Sequence, residues 1–291
     1  MGVTKEQMKE AIKRVWLRSL TQIPADVLQA LRDAQQKETN PQAKKCLALL
    51  IESAKTAGKG NTVICQDTGL PTFFVRTPLS FPYVDSLREP FDEAFRDFMA
   101  GEFPTRSMVV HPVTQSDRGD NTAANVPLIQ TEIDNSLDYL EIKAMPTSAG
   151  PASCAAFTLM PASAGLAGAK KFVIETVLSS GAKPCPPIIV GVGIGGPMEE
   201  TARLAVQASC RSISQRHPEP DMAALEQELL EALNLSGIGP MGLGGDTSVL
   251  AVNVEYSGVL RPWMPVAVDF KCWIGHQASC RVYPDGRIEQ I

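Results

Sequence analysis

An α+β fold, with mixed helices and short-stranded sheets behind a helical N-terminal segment, is predicted by three features of this 291-residue chain. Apolar residues recur at helical spacing through the first sixty positions, short β-like runs broken by turn residues follow, and the last forty positions return to β character. A composition of 44% apolar and 20% charged residues, with 22 glycines and 22 prolines, belongs to a folded, turn-rich protein and not to a disordered one.

Met8, Ile12, Val15, Trp16 and Leu20 mark the first helix. A second opens at Pro24, whose fixed φ suits a helix start, and carries Val27, Leu28 and Leu31. A third runs from Pro41 through Leu47, Leu50 and Ile51 to the breaker Gly58-Lys59-Gly60. Short strands are then expected at 62–65, 72–75, 107–110 and 137–143, with a helix at 90–99. Two further helices are expected at 168–178 and 221–235, the latter with Leu225, Leu229, Leu230 and Leu233 on one stripe. Strands at 248–255, 266–271 and 278–282 precede a turn at 283–286 and a last extended run. With no fixed-period repeat or low-complexity linker, residues 1–291 read as a single domain, 1–58 a helical lead-in and 59–291 the region that bears the motifs.

The net charge of −5 argues against nucleic acid, since phosphate binding needs lysine and arginine in excess. Apolar stretches such as 186–192 fall far short of the ~20 residues that span a bilayer. Lys5, Glu6, Lys9 and Glu10 interrupt what a signal peptide would need as its apolar core, so a cytoplasmic location is expected. The seven cysteines are odd in number and widely spaced, which is not a disulfide framework, and no CxxC pair suggests a zinc ribbon or a ferredoxin-type run.

Five segments stand out first as candidates for chemistry or for close approach to a ligand, and a sixth follows them. Ile64-Cys65-Gln66-Asp67-Thr68-Gly69 groups a thiol, an amide, a carboxylate and a hydroxyl at a turn, and presenting them to a ligand explains them better than burying them together. Residues 114–122 hold no apolar side chain; they read as an exposed loop or as a carboxylate cradle with Arg118 or Arg106 as its charge and Asn121 and Thr122 as neutral donors. Lys183-Pro184-Cys185-Pro186-Pro187 holds a thiol on a stiff backbone, as suits a metal ligand or a plain strand entry. Residues 191–196 satisfy GxGxxG, but Glu199 and Glu200 in the following helix would repel a pyrophosphate, and no acidic residue closes a second strand. The glycine-rich 237–245 lacks the lysine of a phosphate-binding P-loop and suits close backbone approach instead. Beyond these, Lys271-Cys272-Trp273-Ile274-Gly275-His276 sets a thiol beside an aromatic ring and a histidine, whereas His111 and His217 read as structural.

In order, ICQDTG at 64–69, RGDNT at 118–122, KPCPP at 183–187, VGVGIGG at 190–196, GPMGLGG at 239–245, MPVAV at 264–268 and KCW at 271–273 resemble the alpha part of class I fumarases and L-tartrate dehydratases. FFV at 73–75 and RHP at 216–218 lean toward the tartrate branch. The resemblance implies a class I fumarase alpha-type domain and a 4Fe-4S cluster held by Cys65, Cys185 and Cys272, with one iron open to substrate. It implies reversible hydration of a small dicarboxylate or hydroxy-dicarboxylate, with Asp67 and Arg118 as catalytic groups and Gln66, Thr68, Gly69, Arg106, Gly119, Asn121 and Thr122 in substrate binding. It also implies a separate beta subunit that carries the base, in a heterodimer or a dimer of heterodimers. The chain departs from the family pattern at 145–153, where a Gly-rich KGGGSxN segment is usual, at Leu260, where a histidine is usual, and at Gly275-His276-Gln277, where a basic pair is usual.

Overall fold

The computed structural model describes residues 2–60, 62–83, 86–101 and 105–291. Their contacts divide the chain into two compact units interleaved along the sequence. Unit one comprises Met1–Ile23, Ala54–Ser148 and His276–Ile291, and unit two comprises Pro24–Ser53 and Ala149–Gly275. The boundary expected at residue 58 therefore falls inside unit one.

Unit one is a five-stranded sheet backed by helices. Helix α1 (Lys5–Thr21) begins at Thr4, whose hydroxyl accepts from the Gln7 backbone while the Gln7 side chain accepts from the Thr4 backbone. Helix α4 (Arg88–Ala100) packs beside it. The strands are β1 (Thr72–Thr77), β2 (Leu128–Ile133), β3 (Leu140–Ala144), β8 (Ala278–Val282) and β9 (Ile288–Gln290), in the order β2-β1-β3-β8-β9. Only β1 and β2 in this sheet run parallel. The core is aromatic: Trp16, Phe73, Phe91 and Phe95 are buried, and Phe73 meets Phe91 edge-on with ring centroids 4.8 Å apart.

Unit two contains α2 (Ala25–Lys37), most of α3 (Pro41–Gly60), α5 (Ala149–Ala152), α6 (Gly165–Ser180), α7 (Met198–Ser209) and α8 (Pro220–Asn234). Its sheet has the order β4-β7-β5-β6, formed by β4 (Ala156–Pro161), β5 (Ile188–Ile194), β6 (Val249–Tyr256) and β7 (Trp263–Lys271). Alternation along β5 decides what covers each face. Ile188, Val190 and Val192 join a core with Val173 and Val177 of α6 and Leu225, Leu229 and Leu233 of α8. Gly191 and Gly193 point the other way, against α7.

Two expected strands are absent. At 62–65 the Ile64 amide donates to the Leu20 carbonyl, so this segment pairs with the end of α1 and not with a strand. At 107–110 the ladder is reduced to one bridge, Val110 to Asp117. Among the described residues no helix is long and apolar enough to cross a membrane.

Candidate functional site

In unit one, the 64–69 turn is organised by Asp67, whose Oδ1 accepts from the Gly69 amide at 3.0 Å. Gly69 has φ +73°, and a Cβ there would lie 2.9 Å from the Thr147 carbonyl carbon, so glycine is needed both for the conformation and for the close approach. Leu70 and Thr147 exchange backbone hydrogen bonds of 2.9 and 3.1 Å, which lock the turn onto 145–148, a contact no local signal announced. Cys65 and Gln66 are exposed at the turn. Thr68 is buried, and its Oγ1 has no hydrogen-bond partner among the described residues. An orphaned buried hydroxyl costs about 1–3 kcal/mol, so a water or a ligand group that reached it would stabilise the turn.

The 107–122 loop, also in unit one, is built on side-chain to backbone bonds. Asn121, buried and with φ +59°, accepts from the Met108 amide at 2.8 Å. The Thr122 amide and hydroxyl both donate to Asp120 Oδ1, at 2.9 and 2.7 Å. Asn121 and Thr122 thus shape the loop through local bonds. Asp117 accepts from the Gly119 amide at 2.7 Å, and this bond, with a second from the Ser107 hydroxyl, holds its carboxyl below the usual range. Arg118 and Arg106 are both exposed, available to a carboxylate arriving from solvent.

In unit two, the remaining two thiols of the expected ligand set sit at one end of the sheet. Cys185 precedes β5 and Cys272 follows β7; the strands are antiparallel, with Ile189 opposite Lys271. The Trp273 amide donates to the Cys185 carbonyl at 3.2 Å, so the two loops are joined directly. Cys185 has φ +57° between its flanking prolines. The Met241 amide donates to the Pro186 carbonyl at 2.7 Å, which brings the glycine-rich loop to the same end. Cys272 is buried, next to buried Lys271. Burial by itself would lower the Lys271 pKa, but the sulfur of Cys210, the Asp269 carboxylate and the sulfur of Cys272 outweigh it and raise it, leaving a cation beside a thiol. Sequence reasoning passed over Lys271; its signal was an Asp and a Lys two residues apart, Asp269 and Lys271, closing an otherwise apolar strand.

Among the described residues no group of three or more His, Cys, Asp and Glu side chains is placed to hold a metal ion. A 4Fe-4S cluster differs from a single ion in spreading its thiolate ligands over separate irons. The donor chemistry of the unit-two loops suits thiolate ligation: two thiols on stiff or anchored backbone, joined by the Trp273-to-Cys185 hydrogen bond.

The GxGxxG run has a different purpose. A Cβ on Gly191 would lie 2.1 Å from the Ala205 carbonyl oxygen, and one on Gly193 2.1 Å from that of Thr201. These glycines let α7 lie directly on β5. The Gly195 and Gly196 amides already donate to the Pro265 and Gly258 carbonyls, at 3.0 and 2.9 Å, so they offer no cradle for a pyrophosphate. The histidines are structural as well. His111 Nδ1 accepts from the Val113 and Thr114 amides, His217 Nδ1 accepts from the Glu219 amide, and the His276 ring meets the Ser19 carbonyl at 2.9 Å. Leu260 lies at the far end of β7 from Cys272.

Residues 9–281 match the profile of the family described as Fumarate hydratase (Fumerase). The chain is 36% identical over 289 residues to a Methanocaldococcus jannaschii protein provisionally named L(+)-tartrate dehydratase subunit alpha, covering 97% of this chain and all of that one. It is 32% identical over 271 residues to the L(+)-tartrate dehydratase subunit alpha of Escherichia coli K12 and to that of Shigella sonnei, covering 93% of this chain and 89% of each.

Proposed function

The chain belongs to the fumarate hydratase (Fumerase) family, and from that premise we propose that it is the alpha subunit of a 4Fe-4S-dependent hydro-lyase, cytoplasmic and completed by a separate beta subunit. The substrate is a small hydroxy-dicarboxylate of the malate or tartrate type, gaining or losing water reversibly. The observation that carries this reading is the likeness, along nearly the whole chain, to proteins named as alpha subunits of L(+)-tartrate dehydratase.

Cys65, Cys185 and Cys272 are the proposed cluster ligands. When bound, the cluster supplies a Lewis-acidic iron that polarises the substrate hydroxyl. The chain's own residues do the rest of the work on this side of the site. Arg118 pairs with one substrate carboxylate through its planar fork, and Arg106 adds positive charge. Gln66 and the Asp67 carboxylate orient the substrate through its hydroxyl. The Thr68 hydroxyl gains a partner when the site fills, and Gly69 and Gly119 allow the backbone to come close. Asn121 and Thr122 act from beneath, holding the Arg118 loop in shape. The base that takes the carbon-bound proton comes from the beta subunit.

The test is co-expression with the beta subunit, anaerobic purification and a screen of C4 hydroxy acids for water exchange. Brown protein absorbing near ~400 nm is expected, with the colour lost on Cys65→Ala, Cys185→Ala or Cys272→Ala and kept on Cys46→Ala. Full colour in all three ligand variants, or no turnover of any C4 hydroxy acid by the coloured complex, would overturn the proposal.

A further inference from the structure

Strand β7 ends on a buried charge. Lys271 is 6% exposed, and no other lysine or arginine among the described residues is buried. It shares a face with Asp269, two residues earlier, and Asp269 lies opposite Gly191, on the side of the sheet that α7 covers. The Ser209 hydroxyl, at the end of α7, donates to Asp269 Oδ2 at 2.6 Å. Cys210 caps that helix, and its sulfur accepts a hydrogen bond from the Lys271 ammonium. The ammonium therefore sits among a carboxylate, the negative end of a helix dipole and one sulfur, with the sulfur of Cys272 within electrostatic reach. The volume of the stem alone does not call for a lysine. A methionine would fill it without taking a charge out of water, and exchanging a buried ion pair for apolar side chains of similar volume is often neutral or stabilising. A charge kept against that penalty points to a neighbour it acts on, and Cys272, a proposed cluster ligand, is where a fixed positive charge has chemistry to influence.

We propose that Lys271 tunes the iron-sulfur centre: held beside Cys272, its charge favours the electron-rich form of a cluster bound there, which raises the reduction potential and slows oxidative loss of iron. The inference rests on the hydro-lyase reading above and adds to it a residue that acts through Cys272 and not on the substrate. Cluster potentials respond to net charge and to the surroundings of the ligand sulfurs. In a buried setting, where water screens little, a cation near one of those sulfurs stabilises an added electron. A cluster that works as a Lewis acid gains nothing from changing its oxidation state, and the iron without a protein ligand is the one open to oxidants. Asp269 opposes Lys271 in this respect. Removing the cation and removing the carboxylate should therefore move the potential in opposite directions, which a lysine that only braces the strand end would not do.

The test uses the full chain with its beta subunit, reconstituted anaerobically with iron and sulfide. It reads the midpoint potential by a redox titration followed by electron paramagnetic resonance, and the rate at which the absorbance near ~400 nm bleaches in air. Lys271→Met is expected to shift the reduction equilibrium against the added electron by about tenfold or more, about 59 mV for one electron, and to speed bleaching. Asp269→Asn keeps an acceptor for the Ser209 hydroxyl and is expected to shift both readings the other way. The double variant Lys271→Met, Asp269→Asn loses both charges and should fall between the two single ones. If Lys271→Met does not fold, the sign of the Asp269→Asn shift decides: upward supports the proposal, and unmoved or downward overturns it. A coloured parent whose potential is unchanged in all three variants overturns this proposal alone. A parent that takes up no cluster overturns it together with the hydro-lyase reading.

Discussion

Gly150→Ala tests whether the backbone approach beside Cys185 is a real constraint on unit two. A Cβ at Gly150 would stand 2.7 Å from the Lys183 carbonyl oxygen, about 0.7 Å inside ordinary van der Waals contact of 3.4 Å. The neighbour is backbone, two residues before Cys185 and immediately before Pro184, so it cannot swing aside as a flexible side-chain tip would. Overpacking of this kind costs about 1–3 kcal/mol. The helix-propensity gain from glycine to alanine, about 0.5–1 kcal/mol, offsets little here, because α5 has only four residues and Gly150 precedes Pro151, where a Cβ disfavours helical backbone. The net expectation is a loss of about 2 kcal/mol, or roughly 4–8 °C in the melting of unit two at roughly 2–4 °C per kcal/mol. Because the displaced segment carries Cys185, one of the proposed cluster ligands, the variant should on that proposal also incorporate less iron on anaerobic reconstitution. Scanning calorimetry and iron content measure the two effects. Gly258→Ala is the control: its Cβ meets nothing within 4 Å, and a change within about 0.5 kcal/mol is expected. A Gly150→Ala chain that melts and loads iron as the parent does would refute the reasoning.

Two further predictions concern charge. Glu226 is fully buried and accepts from the Arg211 guanidinium, from the Val254 amide at 2.9 Å and from the His217 amide at 3.1 Å. Arg211→Ala leaves that carboxylate without its cation and should cost about 3–5 kcal/mol in urea unfolding, with a smaller loss in the Arg211→Ala, Glu226→Gln double variant. Asp117 titrates below the ordinary 3.8, so its hydrogen bonds to the 107–122 loop are fully present above about pH 4 and are lost as pH falls through the lowered value. The Gly119 amide proton, followed by NMR, should shift with a midpoint under 3.8, and a midpoint at or above it would contradict the geometry.

What could be read from the sequence follows from the range of each signal. Helices α1, α2 and α3 were legible because Met8, Ile12, Val15, Trp16 and their successors recur at a local period that burial then enforces. Strand β2 left no comparable trace. It sits at the sheet edge with Thr131, Glu132 and Ile133 exposed, so no alternation distinguishes its faces. The segments at 62–65 and 107–110 had strand-like composition, but pairing is decided by a partner distant in sequence, and their nearest acceptors and donors lie in a helix end and in their own loop. The same limit applies to the site. The turn at 64–69 was visible from Gly69 and the polar residues before it, whereas the bonds of Asn121 with Met108 and of Thr122 with Asp120 arise only in the folded loop, and no motif encodes them. GxGxxG was ambiguous for a related reason: glycine records only that something comes close, and here it is α7.

The two units hold their functional groups by different physical means, and this bears on how substrate preference can diverge within the family. Cys185 and Cys272 are carried at the ends of β5 and β7, neighbouring strands whose residues are almost all buried, so a change there is felt through the packed interior. The Arg118 loop has few buried residues and keeps its shape through local bonds such as Asp120 to Thr122 and Asp117 to Gly119. Substitutions at its exposed tip leave those bonds intact and change only the charge and reach offered to a ligand. On the proposed reading, preference among hydroxy acids would drift most easily by replacement at exposed positions such as 106 and 118, whereas the strand ends tolerate little besides what they already hold.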